Sequence, residues 1–476
     1  MVMGISLVGP PELTQALAEM LKAFFPAGAE QEISVELRTY SRGDRHGVSC
    51  RVNGAIEHVA ELDQGQDLKR LSRVAVLKCL QELQPEQKLP WGILTGIRPT
   101  KIVRRLLDRG MGEREVAGIL ARDYLIQPDK AALALEVAGL QRQYLLKPEE
   151  ASKLVSVYVG IPFCPSRCAY CSFPSAVGQG MELNVYLNVL EQEIKALGRA
   201  LADRGLAVQT VYIGGGTPTI LSTQELARLL QRCHDYLVSD KTVELTLEAG
   251  RPETLDREKL KVMSEAGAAR VSINPQTMVQ RTLERISRNH TADQVREAFW
   301  LARECGFENI NMDIILGLPG ETISEVMFTL EEVSKLRPDS LTVHALALKR
   351  ASKLRDRTDA LSEAGAQGPQ MQNAAEQTAR GLGMRPYYLY RQKQILNNME
   401  NIGYAMAGKE SVYNIQIMEE RQSVFGAGAS AASKIVNPAD WSLTNFQHPK
   451  SPEAYYKRWQ ESLAERLHLL DRLLRD

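Results

Sequence analysis

The sequence of 476 residues predicts an α/β protein built on an open, partial (βα)6 barrel, with an N-terminal α+β accessory domain and a mainly helical C-terminal domain. Three observations support this fold class. Between about residues 155 and 345, six short β-branched runs alternate with amphipathic stretches. No hairpin signal such as Asn-Gly lies between these runs, so the strands are expected to be parallel with helical crossovers. Because only six strands can be counted, a partial barrel fits better than a closed one.

The barrel elements can be assigned along the chain. Helices between the strands are predicted at 181–204, 223–237, 291–305 and 322–336. In parallel βα arrays the reactive groups collect at the C-terminal ends of the strands, so chemistry is expected in the loops there. The six predicted strands are LVSVYVG, QTVYIGG, TVELTLEA, AARVSIN, NINMDIIL and DSLTVHALAL.

Three domains are predicted: 1–150 as the accessory domain, 151–345 as the barrel and 346–476 as the C-terminal domain. In the first, the runs ISVELRTY and SCRVNGAIEHVAEL predict a small antiparallel pair, and four helices follow. After about residue 346 the βα rhythm ends. A polar helix, the aromatic stretch PYYLYRQKQ, the Gly-rich segment FGAGASAAS and a final helix with an apolar docking face are predicted there.

Composition excludes several classes of protein. The 58 Lys and Arg balance 58 Asp and Glu, so no net field attracts nucleic acid or an anionic membrane. No apolar run approaches the roughly 20 residues of a membrane span, and the N-terminus lacks the pattern of a signal peptide. Seven cysteines, an odd number, argue against an exported disulfide framework. We therefore expect a cytoplasmic protein without nucleic-acid partners or a membrane span.

Three of the seven cysteines, Cys164, Cys168 and Cys171, form a C-x3-C-x2-C motif directly after a predicted strand. Three thiolates suit iron–sulfur ligation. A buried stripe on one helix face would have the same spacing, but Pro162 and Pro165 oppose a helix at about 3 kcal/mol each. Zinc would need a fourth Cys or His ligand at short spacing, and none follows.

Two further strand ends carry candidate binding residues. Gly214, Gly215 and Gly216 precede Thr217, and glycines without Cβ atoms let backbone groups approach a ligand closely. A Gly triplet alone is more often a tight turn. Glu248 ends the next strand, where its carboxylate could accept hydrogen bonds from a ligand or be a solvated loop acid.

The cysteine loop YVGIPFCPSRCAYCSF, continued by GGGTPT, resembles the radical S-adenosylmethionine (SAM) superfamily, within the branch of oxygen-independent coproporphyrinogen III oxidase. The resemblance runs from about residue 155 to 435. The segments PWGILTGIRPTK and YYLYRQKQILNNMENIGYA resemble the HemZ type, the coproporphyrinogen dehydrogenases, and extend the resemblance over most of the chain.

The resemblance implies one [4Fe-4S] cluster on the three cysteines, whose open iron binds SAM and cleaves it to a 5′-deoxyadenosyl radical. It implies that the glycine triplet, Thr217 and Glu248 bind SAM. In the oxidase itself, three of the matching positions contact a second SAM molecule, here Gln276, Arg288 and Asp313. Tyr158 and Tyr170 match aromatic cofactor contacts, although each could be plain core.

The implied function is oxygen-independent coproporphyrinogen III dehydrogenase, a radical SAM oxidoreductase of porphyrin and haem biosynthesis. It converts substrate propionates to vinyl groups and gives protoporphyrinogen IX. Two positions depart from the branch. Phe173 replaces the oxidases' further cysteine and matches the haem-chaperone relatives, whereas Glu400 stands where those chaperones carry an iron-binding histidine. A haem-binding chaperone is therefore the alternative, and an unrelated radical substrate is the third hypothesis.

The substrate would bring four propionates, which require fixed cations and hydrogen-bond donors. Candidates lie where the barrel passes into the C-terminal region, and a solvated basic face would give the same pattern. An electron donor of flavodoxin or ferredoxin type and an electron acceptor are also implied as partners. The four candidate substrate contacts are Lys349, Arg350, Tyr388 and Arg391.

Overall fold

The computed structural model describes residues 5–25, 33–42, 45–61, 67–95, 98–177, 181–347, 354, 359–392 and 395–473. Lys349 and Arg350, two of the predicted substrate contacts, lie outside the described residues. In the described part of the chain no helix is both long and apolar enough to cross a membrane. The contacts divide the chain into two compact units, and the predicted boundaries at 150 and 345 stay a prediction. The first unit comprises Met1–Leu140, Thr358–Pro369 and Leu389–Asn401, and the second Gln141–Arg357, Gln370–Tyr388 and Ile402–Asp476.

The first unit contains a four-stranded sheet in the order β1-β2-β3-β4. The predicted antiparallel pair is present, but the second sequence run forms two strands, so β2, β3 and β4 pair antiparallel, and β1 adds in parallel to β2. Helix α2 begins at Leu68 because the Asp67 carboxylate accepts from the backbone N–H of Lys69 at 2.9 Å. The strands are β1 Ile5–Val8, β2 Ile33–Arg42, β3 Arg45–Val52 and β4 Ile56–Glu61, and the helices are α1 Pro11–Phe24, α2 Leu68–Leu83, α3 Pro99–Asp108, α4 Glu113–Tyr124 and α5 Pro128–Gln141.

The barrel of the second unit is formed by six strands that pair in parallel and in chain order. The sheet stays open, so the predicted partial (βα)6 barrel is confirmed. A two-residue pair, β6 and β7, lies after the first of these strands. After the short helix α6 Pro148–Ala151, the strands are β5 Leu154–Ile161, β6 Phe163–Cys164, β7 Ala176–Val177, β8 Ala207–Gly215, β9 Glu244–Glu248, β10 Arg270–Ser272, β11 Ile310–Leu316 and β12 Ser340–Ala345.

Helices join the barrel strands, and several begin at capping boxes. Ser222 and Glu225 start α8, and Thr291 and Gln294 start α11, in each case by reciprocal side-chain to backbone hydrogen bonds. Each of the four predicted crossover helices begins within one residue of its predicted first residue. The crossover helices are α7 Met181–Ala202, α8 Thr223–Leu237, α9 Arg257–Glu265, α10 Gln280–Arg285, α11 Ala292–Glu304 and α12 Ile323–Leu336.

In its described residues, the C-terminal region adds three helices and five strands, and the five strands were not predicted from the sequence. β14 pairs antiparallel with β12, and β15 pairs in parallel with β5, so the two edges of the six-stranded array are covered. The complete sheet runs β13-β14-β12-β11-β10-β9-β8-β5-β15-β16-β17. These elements are α13 Asp359–Gly381, β13 Arg385–Tyr390, β14 Asn401–Ala405, α14 Val412–Glu419, β15 Ser423–Ala427, β16 Ala432–Val436, β17 Leu443–Gln447 and α15 Pro452–Leu473.

Candidate functional site

The three cysteines of the motif lie on an irregular loop after the first barrel strand. Cys164 ends β6, which pairs with β7. The backbone N–H of Cys171 donates to the carbonyl of Cys168 at 3.3 Å, and that of Ala169 donates to the carbonyl of Ile286 at 2.9 Å. No helix forms over this loop, so the three thiols do not share a helix face.

The loop presents its sulfurs in different environments. Cys168 is buried, whereas Cys164 and Cys171 are half-buried, and burial raises the pKa of the Cys171 thiol. Within the described ranges, no three or more His, Cys, Asp or Glu side chains are grouped closely enough to hold a metal ion, and this includes the three thiols of the loop. Three thiols on one loop are nevertheless the type of donor that an iron–sulfur cluster with one open iron uses.

Arg288 lies against the buried sulfur of this loop. Its Nη1 is 3.8 Å from the Sγ of Cys168, and its Nη2 donates to the carbonyls of Gly250 at 2.6 Å and Asn274 at 2.5 Å. The guanidinium therefore ties the cysteine loop to the segments that follow β9 and β10.

The glycine triplet is packed so closely against neighbouring groups that none of its three positions has room for a side chain. Gly215 has a φ of +112°, and a Cβ there would lie 3.1 Å from the hydroxyl of Tyr158 and 3.2 Å from the ring of Phe173. A Cβ on Gly216 would lie 2.4 Å from the carbonyl oxygen of Phe163, and one on Gly214 would lie 2.7 Å from the carboxyl carbon of Glu248.

The next residue fixes this segment to the cysteine loop. Thr217, which is buried, donates its backbone N–H to the carbonyl of Phe163 at 2.7 Å. The backbone N–H of Gly216 donates to the carbonyl of Ile161 at 2.7 Å. Since Phe163 directly precedes Cys164, the glycine triplet and the cysteine motif lie at the same end of the barrel.

Glu248 lies at the end of β9 and faces the glycine triplet. Its carboxylate accepts from the hydroxyl of Tyr212 at 2.8 Å and from the backbone N–H of Gly215 at 3.1 Å. Burial raises the pKa of Glu248 to about 7, although both hydrogen bonds lower it. The alternative of a solvated loop acid is therefore wrong, because this carboxylate is half-buried and bound to two donors.

Gln276, four residues after β10, meets Asp313 in the middle of β11. The backbone N–H of Gln276, a residue with φ of +65°, donates to the carbonyl of Asp313 at 2.9 Å. The Asp313 carboxylate accepts from the amide of Asn311 at 2.7 Å and lies 3.7 Å from the ring of His344. Burial raises the pKa of Asp313, but His344, Asn311 and Thr342 outweigh it, and the pKa is lowered overall.

The two predicted tyrosines occupy different surroundings. Tyr158 stacks on Tyr212 at 6.1 Å between ring centroids, and Tyr212 stacks on Tyr413 at 4.5 Å. Tyr170 lies within the cysteine motif, where burial raises the pKa of its hydroxyl and the charge of Arg288 opposes the rise. The three stacked rings form one wall beside Glu248.

Two of the predicted substrate contacts fall in different compact units. Tyr388 belongs to the second unit, and its hydroxyl lies 3.4 Å from the hydroxyl of Thr342. Arg391 belongs to the first unit and is buried. Its guanidinium donates to the backbone carbonyls of Leu94 and Asn398 and to the side chain of Asn398. A structural role therefore accounts for Arg391, and its role in substrate binding stays a prediction.

Glu400 also belongs to the first unit and is 1% exposed. One carboxylate oxygen accepts from the indole N–H of Trp91 at 2.7 Å, and the other pairs with the ammonium of Lys130 at 2.6 Å. The Arg391 guanidinium lies over the Trp91 ring at 5.6 Å. The segments around residues 91 and 400, both noticed in the sequence, thus meet in one buried network.

Sequence reasoning missed three residues that the structure brings to this end of the barrel. Arg251, three residues after Glu248, donates to the sulfur of Cys168 at 3.1 Å. His344 lies beside Asp313, and Tyr413 reaches the tyrosine stack from α14. The position of Arg251 just beyond a strand end could have identified it, but nothing in the local sequence relates Tyr413 to the barrel.

Comparisons with known proteins agree with this arrangement. The profile of the Radical SAM superfamily matches residues 158–333. The chain is 41% identical over 387 residues to the oxygen-independent coproporphyrinogen-III oxidase-like protein HemZ of Bacillus subtilis, covering 80% of this chain and 77% of the relative. It is 33% identical over 278 residues to the heme chaperone HemW of the same organism, covering 58% and 70%.

A solved structure shows the same relationship in three dimensions. The coproporphyrinogen III oxidase HemN from Escherichia coli, a radical SAM enzyme, superposes with a TM-score of 0.52. The two are 25% identical, and the match covers 68% of this chain and 73% of that one.

Proposed function

Because the chain belongs to the radical SAM superfamily, within the branch of HemN and HemZ, we propose that it is an oxygen-independent coproporphyrinogen III dehydrogenase. The proposed reaction is the oxidative decarboxylation of two propionates of coproporphyrinogen III, giving the vinyl groups of protoporphyrinogen IX. The finer assignment draws on the likeness to HemZ and on the residues at the C-terminal ends of the barrel strands.

In this proposal Cys164, Cys168 and Cys171 would hold one [4Fe-4S] cluster, which with SAM supplies a 5′-deoxyadenosyl radical when bound. The donor set fits the cluster, because three thiols lie on one loop and Arg251 and Arg288 place positive charge beside one sulfur. The surroundings also limit access of water to the buried Cys168.

The residues that would hold SAM have complementary properties. Gly214, Gly215 and Gly216 leave a surface free of side chains, and Glu248 offers a carboxylate already oriented by two donors. Tyr158 contributes an aromatic wall. Thr217 and Tyr170 are proposed to support the same site, and Gln276, Arg288 and Asp313 would contact a second SAM molecule, as in the oxidase.

The proposed substrate change requires two external partners, an electron donor and an electron acceptor. For each propionate, loss of a β-hydrogen atom, release of the carboxylate as carbon dioxide and transfer of one electron to the acceptor would leave a vinyl group, and the bound cofactors would supply the group that takes the hydrogen atom. A donor of flavodoxin or ferredoxin type would supply the electron that starts each cycle. Lys349, Arg350 and Tyr388 remain the proposed partners of the substrate propionates, since fixed cations and donors stabilise carboxylates away from bulk water.

The environment of Glu400 is the observation that favours the enzyme over a haem chaperone. The chaperone hypothesis needs an axial iron ligand at this position, yet both carboxylate oxygens of Glu400 are bound, one by Trp91 and the other by Lys130. A buried carboxylate with two partners is costly to release, since breaking such a pair costs about 3–5 kcal/mol. Glu400 is therefore a structural residue in this proposal.

The haem chaperone remains the second candidate, favoured by Phe173 at the oxidases' cysteine position and by the likeness to HemW. The deciding experiment incubates anaerobically reconstituted, reduced protein with SAM and coproporphyrinogen III, and measures vinyl products and 5′-deoxyadenosine together. We expect several turnovers of both, and none with Cys168→Ser. Stoichiometric haem binding with neither product would favour the chaperone, and 5′-deoxyadenosine without porphyrinogen loss would indicate another radical substrate.

A further inference from the structure

A buried arginine outside the cysteine motif contacts its central sulfur. Arg251 follows β9, and only 3% of its side chain is exposed. Its Nη1 lies 3.1 Å from the Sγ of Cys168, whereas the nearest approach of Arg288 to the same sulfur is 3.8 Å. An N–H···S hydrogen bond is normally longer than one to oxygen, so 3.1 Å is a short distance for such a bond. Of the two arginines, Arg251 is therefore closer to the sulfur and makes the stronger hydrogen bond.

The Arg251 guanidinium is held from two other directions. Its Nε donates to Glu253 Oε1 at 2.7 Å, and its Nη2 donates to the hydroxyl of Ser166 at 2.6 Å. The other carboxylate oxygen of Glu253 lies 3.3 Å from the ring of buried His290. Although burial raises the pKa of Glu253, His290 and Arg251 outweigh it and lower the pKa to about 2.

This arrangement is more than an ion pair that stabilises a loop. The Glu253 oxygen lies 2.7 Å from both Nε and Nη2, whereas Nη1, which this ion pair does not use, reaches the sulfur of Cys168. Nη2 also donates to Ser166, two residues before Cys168, so both loop contacts fix the sulfur relative to the cation.

A hydrogen bond and a positive charge at a cluster sulfur favour the reduced state, because reduction adds negative charge to the cluster. We propose that Arg251 is a positioning residue that raises the reduction potential of the cluster through the sulfur of Cys168. The inference rests on the proposed cluster at Cys164, Cys168 and Cys171, and it does not depend on which substrate the radical attacks.

The test is an anaerobic redox titration of the reconstituted full-length protein, followed by the EPR signal of the reduced cluster without SAM or substrate. Arg251→Gln removes the charge and the guanidinium fork. We expect a more negative midpoint, with the ratio of reduced to oxidised cluster at a fixed potential falling at least tenfold, or about 59 mV for one electron. Iron content should stay that of the wild type.

The matched control is Arg257→Gln, the same substitution at an exposed arginine that pairs with Glu304. Its midpoint should equal that of the wild type. An unchanged midpoint in Arg251→Gln, or an equal shift in the control, would overturn the proposal.

Two milder variants decide the question if Arg251→Gln fails to retain iron. Arg251→Lys keeps the charge without the fork, and Ser166→Ala removes one anchor of the guanidinium. Both variants should have a more negative midpoint than the wild type, with a smaller shift than the one expected for Arg251→Gln. Wild-type midpoints in both would refute the proposed effect of Arg251 on the reduction potential. Loss of porphyrinogen turnover with a normal midpoint would count against the proposed function alone, and the absence of any cluster signal in the wild type would count against the cluster.

Discussion

Replacement of Glu248 by Gln tests the proposed SAM site most sharply. The carboxylate accepts from Tyr212 and from the backbone N–H of Gly215. Glutamine preserves this geometry, because its carbonyl can face Gly215 while its amide donates to a hydroxyl that turns to accept. The variant therefore removes the charge without emptying the space, and the cluster should form as in the wild type.

The expected loss of SAM affinity follows from the hydrogen bonds that the Glu248 carboxylate can accept and from the pKa of this group. A hydrogen bond to a charged acceptor contributes about 1.5–3 kcal/mol, so SAM should bind Glu248→Gln about 10- to 150-fold more weakly at pH 8. Burial raises the pKa of Glu248 to about 7, so the carboxylate is mostly ionised at pH 8 and mostly protonated at pH 6. If SAM binds the ionised form, wild-type affinity should fall about tenfold between these two pH values.

The assay is equilibrium binding of SAM to reconstituted wild-type and Glu248→Gln protein at pH 6, 7 and 8. Titration of the SAM amino group affects both proteins, so the contribution of Glu248 is the difference between their two pH profiles. The difference should grow as pH rises through 7 and level off above it. Equal affinities at pH 8, or parallel profiles throughout, would refute the placement of SAM against this carboxylate.

Three further predictions concern the cluster, the glycine surface and the buried network. Cys168→Ser should lose the brown chromophore and most of about four irons per chain, whereas Cys233→Ser should retain both; the reverse would place the cluster elsewhere. Gly215→Val should weaken SAM binding with the iron content unchanged, because φ is +112° and the added side chain would displace the Tyr158 hydroxyl and the Phe173 ring that border the triplet; equal affinity would contradict this. Glu400→His should lower the free energy of unfolding by about 3–5 kcal/mol in a denaturant titration, because Lys130 loses its partner, and haem binding with wild-type stability would contradict the structural role.

The sequence alone was sufficient for the six barrel strands, the four longest crossover helices and the position of the cysteine motif, whereas α9 and α10 were not predicted. β-branched runs and helical periodicity are local properties, and parallel pairing follows from their alternation without hairpin signals between the strands. The alignment of strand ends then brought the cysteine loop, the glycine triplet and Glu248 to one end of the barrel, as expected from their places in the chain.

The tertiary structure decided what depends on distant partners. Strands β14 and β15 were not identified because short segments become strands here by pairing with the exposed edges of the barrel. Arg391 was predicted to contact the substrate, and Glu400 stands at the position of the chaperones' histidine. In the structure, Arg391 binds Leu94 and Asn398, and Glu400 binds Trp91 and Lys130, in the buried interior of the first unit. Arg251 contacts Cys168 only because folding brings together two residues that are 83 positions apart in the chain. The local sequence pattern therefore determined which helices and strands form. Whether a polar side chain is available to bind a ligand or is engaged in the structure depends on its burial and on partners that are distant in the sequence.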